Sequence, residues 1–221
     1  MKGTLARTLA LSMGLAFLPG TGSGQNLADF DYENLSFRGF SLEGGYIWPT
    51  RVDPTYTVGL RVDMGYLGPG LRLVPGVTYW SSQMKASEVD KLARKVDQLI
   101  DPEATEPITD LGEIDWSDLA LTLDGHFVWS IPFNMLSYVG AGVSAHIMNG
   151  DGSAINGTFV EDLLDSVKAG LNFHAGLEYP MSDFLRLYGL ARYEILGDLR
   201  YPELRLGGQI MVGPSAPGEG R

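Results

Sequence analysis

The amino-acid sequence predicts an all-β fold, in which eight antiparallel strands form an up-and-down transmembrane β-barrel with short helices in two extracellular loops. Three observations lead to this prediction. Apolar residues alternate with other residues in about eight segments between Phe37 and Val212, so each segment has one apolar face. The N-terminal segment is typical of an export signal, and short connections alternate with long ones along the chain.

The N-terminal sequence predicts a signal peptide over residues 1–24. Lys2 and Arg7 form a positive region, and residues 9–18 form an apolar run that is too short to span a bilayer as a helix. Small residues at 22–24 suit a cleavage site. We therefore expect a protein of the cell outer membrane, with an N-terminal segment at 25–36, the barrel at 37–213 and a flexible tail at 214–221.

The alternation and the turn residues between segments predict eight strands. The second, fourth and sixth connections are tight turns with proline or glycine, whereas the connections after the third and fifth strands are long. Bacterial barrels have short periplasmic turns and long extracellular loops. When both termini are periplasmic, the even-numbered connections are the short ones, and this loop parity is what the sequence has. The predicted strands are 37–48, 54–66, 70–80, 116–130, 136–148, 167–179, 184–196 and 201–212.

Both long loops contain helix signals. Residues 87–90 resemble a capping box at the start of a helix, and residues 158–161 resemble a second one. Apolar residues follow each start at helical spacing, so each helix has a face that needs an apolar partner. We expect both helices to dock on the barrel mouth and to form the main candidate ligand site outside the lumen. The candidate mouth residues are Leu92, Val96, Leu99, Leu163 and Leu164.

Aromatic residues cluster near the strand ends on the predicted outward face. Two belts of aromatic rings are typical of strands that cross both lipid–water interfaces. The belt near the first loop comprises Tyr46, Trp48 and Tyr56, and the belt near the short turns comprises Tyr66, Phe127, Trp129 and Tyr179.

The composition excludes several classes of protein. A formal net charge of −11 argues against nucleic acid as a partner. The absence of cysteine excludes disulfides, structural zinc thiolates and a cysteine nucleophile. High glycine, with 29 residues, and a charged fraction of only 19% favour a barrel with one face in lipid and a crowded interior.

The chain resembles the small eight-stranded outer-membrane barrels, a class that includes the outer membrane protein A and X types and the opacity-like surface proteins. The resemblance covers residues 37–213 and rests on the signal, the loop parity and strands such as PMSDFLRLYGLARYEI, from Pro180 to Ile195. It implies a non-enzymatic monomer with a structural or surface-interaction role, whose partner is outer-membrane lipid.

The inward face carries charged residues of both signs. An eight-stranded barrel is just wide enough for side chains to fill, and charges inside it must be paired. We expect a salt-bridged lumen in which, depending on register, Arg192 pairs with Glu203 or Glu194 pairs with Arg205. The predicted lumen residues are Glu43, Arg61, Asp63, Arg72, Asp124, His126, His174, Glu178, Arg186, Arg192, Glu194, Glu203 and Arg205.

The three histidines are the first place to look for catalysis or metal binding. None stands in the His-x-Ser context that lipid A deacylase barrels use. His126 and His174 share the inward face, but a metal would need a third ligand such as Asp124 or Glu178. Residues 149–153 resemble a calcium loop but lack its later glycine and glutamate. We therefore expect no catalytic residues, no metal and no cofactor.

Two other functional classes remain open from the sequence. One is a lipid- or small-ligand-handling barrel whose mouth site is shaped by the loop helices. The other is a soluble lipocalin-like barrel with the apolar face inward. The aromatic belts, the glycine-rich polar face and the scarcity of Lys and Glu oppose the soluble barrel.

Overall fold

A closed antiparallel β-barrel forms the body of the protein. The computed structural model describes residues 35–100 and 110–212, so the expected signal peptide and C-terminal tail lie outside the described residues. Within those residues there are nine β-strands and two α-helices. They are β1 Gly39–Ile47, β2 Thr55–Asp63, β3 Tyr66–Gly68, β4 Leu71–Gln83, α1 Ala86–Ile100, β5 Asp115–Ile131, β6 Met135–Asp151, α2 Phe159–Leu164, β7 Ser166–Pro180, β8 Leu185–Leu196 and β9 Leu199–Met211.

The barrel closes because β1 pairs with β2 and with β9, β2 pairs with β4, and each strand from β3 to β8 pairs with the next. β2 and β3 both pair with β4, so they are two parts of one strand, and the barrel has eight strands as predicted. Met64 and Gly65 interrupt this strand, and Gly65 has a φ of +74°, a conformation that favours glycine.

The interruption reverses the side-chain alternation between β2 and β3. Tyr56, Val58 and Leu60 are exposed on the outer wall, whereas Tyr66 is only 1% exposed and points into the barrel. The predicted placement of Tyr66 in the outer aromatic belt was therefore wrong. Continuous alternation puts residues 60 and 66 on the same face, and the break at Gly65 removes that relation.

The outer wall is apolar and the inner wall is polar. On β5, Leu119, Leu121 and Leu123 are exposed, whereas the residues between and after them, such as Thr122 and Asp124, are buried. The soluble-barrel alternative requires the opposite orientation, so the structure contradicts it. The outer wall has the apolar surface that a lipid bilayer covers.

The two longest connections lie at one end of the barrel, opposite three tight turns. The turns between β3 and β4, β5 and β6, and β7 and β8 form the turn end. The other end, here called the loop end, carries α1 and α2. The Thr158 side chain caps α2 by accepting a hydrogen bond from the Val160 amide. Neither helix of the described chain is long and apolar enough to cross a membrane.

Two apolar clusters lie inside the barrel, one at the loop end and a smaller one toward the turn end. The cluster at the loop end, here called the mouth plug, joins residues from both helices to the strand ends. The smaller one is the turn-end cluster, made of Tyr66, Val128, Leu136, Tyr138, Tyr188 and Leu190. The mouth plug consists of Ile47, Val52, Trp80, Met84, Ala93, Val96, Leu111, Ile114, Trp116, Met148, Ile155, Val160, Leu164, Leu196, Leu199 and Tyr201.

Glycines on the inner wall make room for the large side chains. A Cβ at Gly176 would overlap the Tyr138 ring, and a Cβ at Gly207 would overlap the Tyr188 ring. Both tyrosines therefore lie flat over a strand position that has no side chain. This is the reason why the polar face of the barrel is rich in glycine.

The orientation of β8 can be tested with a charge on the outer wall. Ala191 lies mid-strand and is exposed, so Ala191→Arg places a cation in the apolar band. We expect it to lower the free energy of unfolding by ~2–4 kcal/mol in lipid vesicles, measured by urea titration of tryptophan fluorescence. Val167→Arg, at the loop end of β7, is the matched control and should cost ~0–1 kcal/mol. Equal tolerance at both positions would contradict a lipid-facing wall.

Candidate functional site: the lumen and the mouth

The structure buries all of the predicted lumen residues. Each of the thirteen is at most 6% exposed. They lie on the turn-end side of the mouth plug, among and beside the residues of the turn-end cluster, and form three groups of ion pairs that meet near His126. The groups join strands from different sides of the barrel, because the lumen is narrow enough for long side chains to reach across it.

The first group surrounds Glu178. Arg72 Nη1 and Arg186 Nη1 both donate to Glu178 Oε2, at 3.0 Å and 2.9 Å. Arg72 Nη2 also contacts Oε1 of the same carboxylate. Asp63 lies 3.6 Å from Arg72 and accepts a hydrogen bond of 3.0 Å from Gln209. Two guanidinium groups thus share two carboxylates in a site without free water access.

The second group surrounds Glu43. Arg205 contacts both Glu43 and Glu203, and Arg61 Nη1 lies 3.5 Å from Glu43. The Tyr188 hydroxyl donates to Glu43 at 2.8 Å. The Glu43 carboxylate therefore has three partners from three strands, which orients it in the centre of the barrel.

The third group centres on Arg192. Its guanidinium donates to Asp124 at 2.9 Å and to Glu194 at 3.0 Å. The register of β8 and β9 sets Arg192 opposite Glu203, one of the two predicted alternatives. The ion pairs nevertheless join other residues, because Arg192 extends across the lumen to β5 and Arg205 takes Glu203.

His126 connects the three groups. Arg61 Nη2 lies 2.9 Å from His126 Nε2, and Arg72 Nη2 lies 3.0 Å from His126 Nδ1. The ring stacks on Tyr138 with centroids 4.4 Å apart and meets His174 edge-on at 4.8 Å. A neutral imidazole accepts at one nitrogen only, so it takes a hydrogen bond from one of the two guanidinium groups.

One set of residues in the lumen has the composition of a metal site. Asp124, His126 and His174 offer ligand atoms that lie within 4.8 Å of one another. Both nitrogens of His126 face guanidinium groups, and Arg192 already pairs with Asp124. A cation there would meet three positive charges, so these residues fit an ion-pair network better than a metal centre.

His146 also lies in the lumen. It was not among the predicted lumen residues, although the alternation on β6 places it on the inward face. Val143 and Ile147 are outward, so Ser144 and His146 point inward. His146 Nδ1 lies 2.7 Å from Asp118 Oδ2, and His146 Nε2 lies 2.9 Å from Ser144 Oγ. Ser, His and Asp therefore follow one another in the order that hydrolases use for an activated serine.

This arrangement is poorly suited to catalysis. The Ser144 hydroxyl donates to Glu194 Oε1 at 2.5 Å, and the same oxygen lies 3.4 Å from His146 Nε2. The Ser144 hydroxyl therefore gives its proton contact to Glu194 and not to His146, so the imidazole is not placed to accept that proton. His146 and Asp118 are fully buried, which keeps substrate away from the hydroxyl.

At the loop end, the two helices contribute only part of the predicted mouth residues to packing. Val96 and Leu164 are buried in the mouth plug, and Leu92 packs against it. Leu99 is 72% exposed and Leu163 is 56% exposed, so their predicted place in the packed mouth was wrong. At 100° per residue, Leu163 lies about 100° from Leu164 around α2, outside the buried face. Leu99 lies within about 20° of Leu92 around α1, but it is about two turns further along, next to the last residue of the helix, and does not reach the plug.

A polar cleft of about 220 Å³ opens beside α1. Its lining residues are Thr50, Arg51, Glu88, Lys91, Leu92, Lys95 and Asp198. The hydrogen bond from Lys91 holds the pKa of Glu88 below its usual value. Partial burial opposes ionisation of Asp198, but Arg51 and Lys168 outweigh it and lower the pKa of this carboxyl. Both carboxylates therefore remain charged at neutral pH.

The lumen ion pairs can be tested at Glu178. Glu178→Gln leaves Arg72 and Arg186 buried with fewer partners, so we expect a loss of ~3–5 kcal/mol in the free energy of unfolding, measured by urea titration. Glu113→Gln makes the same chemical change at an exposed position and should shift stability by less than about 0.5 kcal/mol. The double change Glu178→Leu with Arg72→Met should cost less than the sum of its parts. Additive losses would show that the pair is not coupled.

The comparisons with known proteins fit this geometry. No protein-family model matches the chain, and no curated protein matches it. The solved structure of Neisserial surface protein A, NspA, is similar, with a TM-score of 0.56 and 13% identity over 81% of this chain and all of that chain. Ail from Yersinia pestis has a TM-score of 0.49 and 11% identity, over 81% of this chain and all of that chain. The chain has the fold of the small eight-stranded outer-membrane β-barrels.

Proposed function

We propose that the protein is a non-enzymatic outer-membrane β-barrel with a structural or surface-interaction role. The observation that carries this proposal is the filled lumen, in which buried Arg and carboxylate groups pair behind the mouth plug and beside the turn-end cluster. Such an interior leaves no room for a continuous water path or for a substrate. The function therefore lies on the outer surface and at the loop end.

Several further properties belong to the same proposal. Residues 1–24 direct export, the turn end of the barrel lies on the periplasmic side, and the loop end faces the outside of the cell. The barrel acts as a monomer with lipid as its main partner. The arrangement of Ser144, His146 and Asp118 serves stability, because the hydroxyl is committed to Glu194.

A second candidate function is the handling of a lipid or a small ligand at the loop end. The cleft beside α1 favours it, since its lining combines charged side chains with the half-buried Leu92. In this function the barrel serves as the membrane anchor, and α1 shapes the site.

The closed lumen predicts the electrical behaviour of the protein. Purified protein, with folding confirmed by its altered gel mobility before boiling, should give no stable channel of porin size in planar bilayers. The physical reason is that ions would have to displace paired charges and pass two apolar clusters. Reproducible conductance of porin size from the folded form would contradict the filled lumen.

The orientation in the membrane can be read by surface labelling, because the chain has no cysteine. Leu99 is exposed at the loop end, and Phe133 is exposed in the turn between β5 and β6. On intact cells, a membrane-impermeant maleimide should label Leu99→Cys, and should label Phe133→Cys only after the outer membrane is permeabilised. The reverse pattern would place the loop end in the periplasm.

A further inference from the structure

The cleft beside α1 collects cations in a chain whose net charge is strongly negative. Arg51 comes from the connection between β1 and β2, and Lys91 and Lys95 lie one turn apart on α1. Among the cleft residues only Glu88 and Asp198 carry negative charge. Three cations from two separate parts of the chain thus face one space of about 220 Å³.

Arg51 is fixed in place from several sides. Its Nε lies 3.3 Å from Glu88, and its guanidinium carbon stands 5.2 Å from the centroid of the buried Trp116 ring. It also pairs with Asp198, which lies 3.3 Å from Lys168. Such a guanidinium is held in position before a ligand arrives, which lowers the entropy that binding costs.

Three other side chains of the cleft, Lys95, Thr50 and Lys91, can still donate hydrogen bonds to a ligand. Lys95 has no ion-pair partner within residues 35–100 and 110–212. The Thr50 hydroxyl oxygen accepts from the Arg200 amide at 3.3 Å, so its own proton is available for a ligand. Lys91 pairs with Glu88 at 2.5 Å, but its side chain is 58% exposed and can change its position. An anion with more charge than one carboxylate can therefore replace Glu88 as its partner.

The outer wall next to the cleft suits the part of an amphiphilic molecule that joins its polar headgroup to its apolar chains. Tyr46 packs edge-on against Trp48 and Tyr56, with ring centroids 5.0 Å and 5.1 Å apart. Backbone hydrogen bonds from Trp48 to Pro202 and from Thr50 to Arg200 tie this aromatic group to the rim of the cleft. The apolar wall, the aromatic group and the cations therefore follow one another toward the loop end.

We propose that this cleft binds a phosphate group, either on a soluble phosphate compound or on the headgroup of an anionic lipid. The proposal rests on the proposed function, which places the loop end at the outer lipid surface. A guanidinium fork, two ammonium groups and a hydroxyl are the donors that suit several phosphate oxygens at once. Glu88 and Asp198 hold the cations in place until the phosphate replaces them.

The test titrates the whole folded barrel in non-ionic detergent with inorganic pyrophosphate and measures the heat of binding. We expect Lys95→Gln and Lys91→Gln each to weaken binding about tenfold, because each removes one charge-assisted contact. Arg94 is the matched control, since it is an exposed cation on the same helix but does not line the cleft. Arg94→Gln should leave the affinity unchanged. Glu88→Gln keeps an acceptor that can hold Arg51 and Lys91 in place but removes the negative charge that competes with the probe, so it should strengthen binding severalfold.

Several results would overturn the site. They are no heat of binding for the wild-type barrel, an equal loss in Arg94→Gln and Lys95→Gln, and weaker binding in Glu88→Gln. The second of these would mean that only general surface charge attracts the probe. Because the titration uses the isolated barrel, a negative result leaves the closed lumen and the surface labelling unaffected, so the two proposals fail separately.

A second measurement identifies the source of the phosphate. The same titration is carried out in nanodiscs of phosphatidylcholine, with and without phosphatidylglycerol. A lipid headgroup in the cleft is supported if pyrophosphate binds more weakly in the anionic discs than in the neutral ones. This difference between the two kinds of disc should disappear in Lys95→Gln and remain in Arg94→Gln. Equal binding in both kinds of disc supports a soluble phosphate compound.

Discussion

The interior of this barrel depends on the mutual neutralisation of Arg and carboxylate side chains. A guanidinium or a carboxylate that is removed from water and left unpaired costs several kcal/mol, and lipid outside the wall offers no solvent in exchange. Glu178 between Arg72 and Arg186, and Glu43 between Arg205 and Arg61, meet this requirement with partners from different strands. The positions of these strands around the barrel are therefore fixed by charge as well as by the backbone ladder.

The two apolar clusters accompany this network. The mouth plug packs at the loop end, and the turn-end cluster packs among the charges on the other side, so the ion pairs are shielded from water and strengthened. In the proposed function, the lumen takes no part in transport and recognition occurs at the loop end, where α1 carries cations on one side and packs Val96 into the plug on the other.

The sequence predicted the strands well because lipid and a filled lumen impose a strict alternation on every strand. The same rule placed eleven Arg and carboxylate residues and two of the three histidines on the inner wall. It failed at Tyr66, since a single interruption at Gly65 reverses the faces, and it was not applied to His146, which obeys it. The partner of each charge was beyond prediction, because contacts across the lumen depend on barrel diameter and stagger, which the alternation does not encode. The spacing of α1 indicated an apolar face, but the edge of that face at Leu99 depends on how far the plug extends.

The ion pairs of the lumen join residues that are far apart in the chain. Arg72 and Glu178 are 106 residues apart, and Arg205 and Glu43 are 162 residues apart. Glu43 lies on β1 and Arg205 on β9, so these two side chains have no partner in each other until the last strand meets the first, and both charges must keep their water until then. Water must leave the interior in one late step, when the sheet closes. This predicts slow folding in which closure of the sheet is rate-limiting. A barrel assembled in this way has its highest barrier where β1 joins β9.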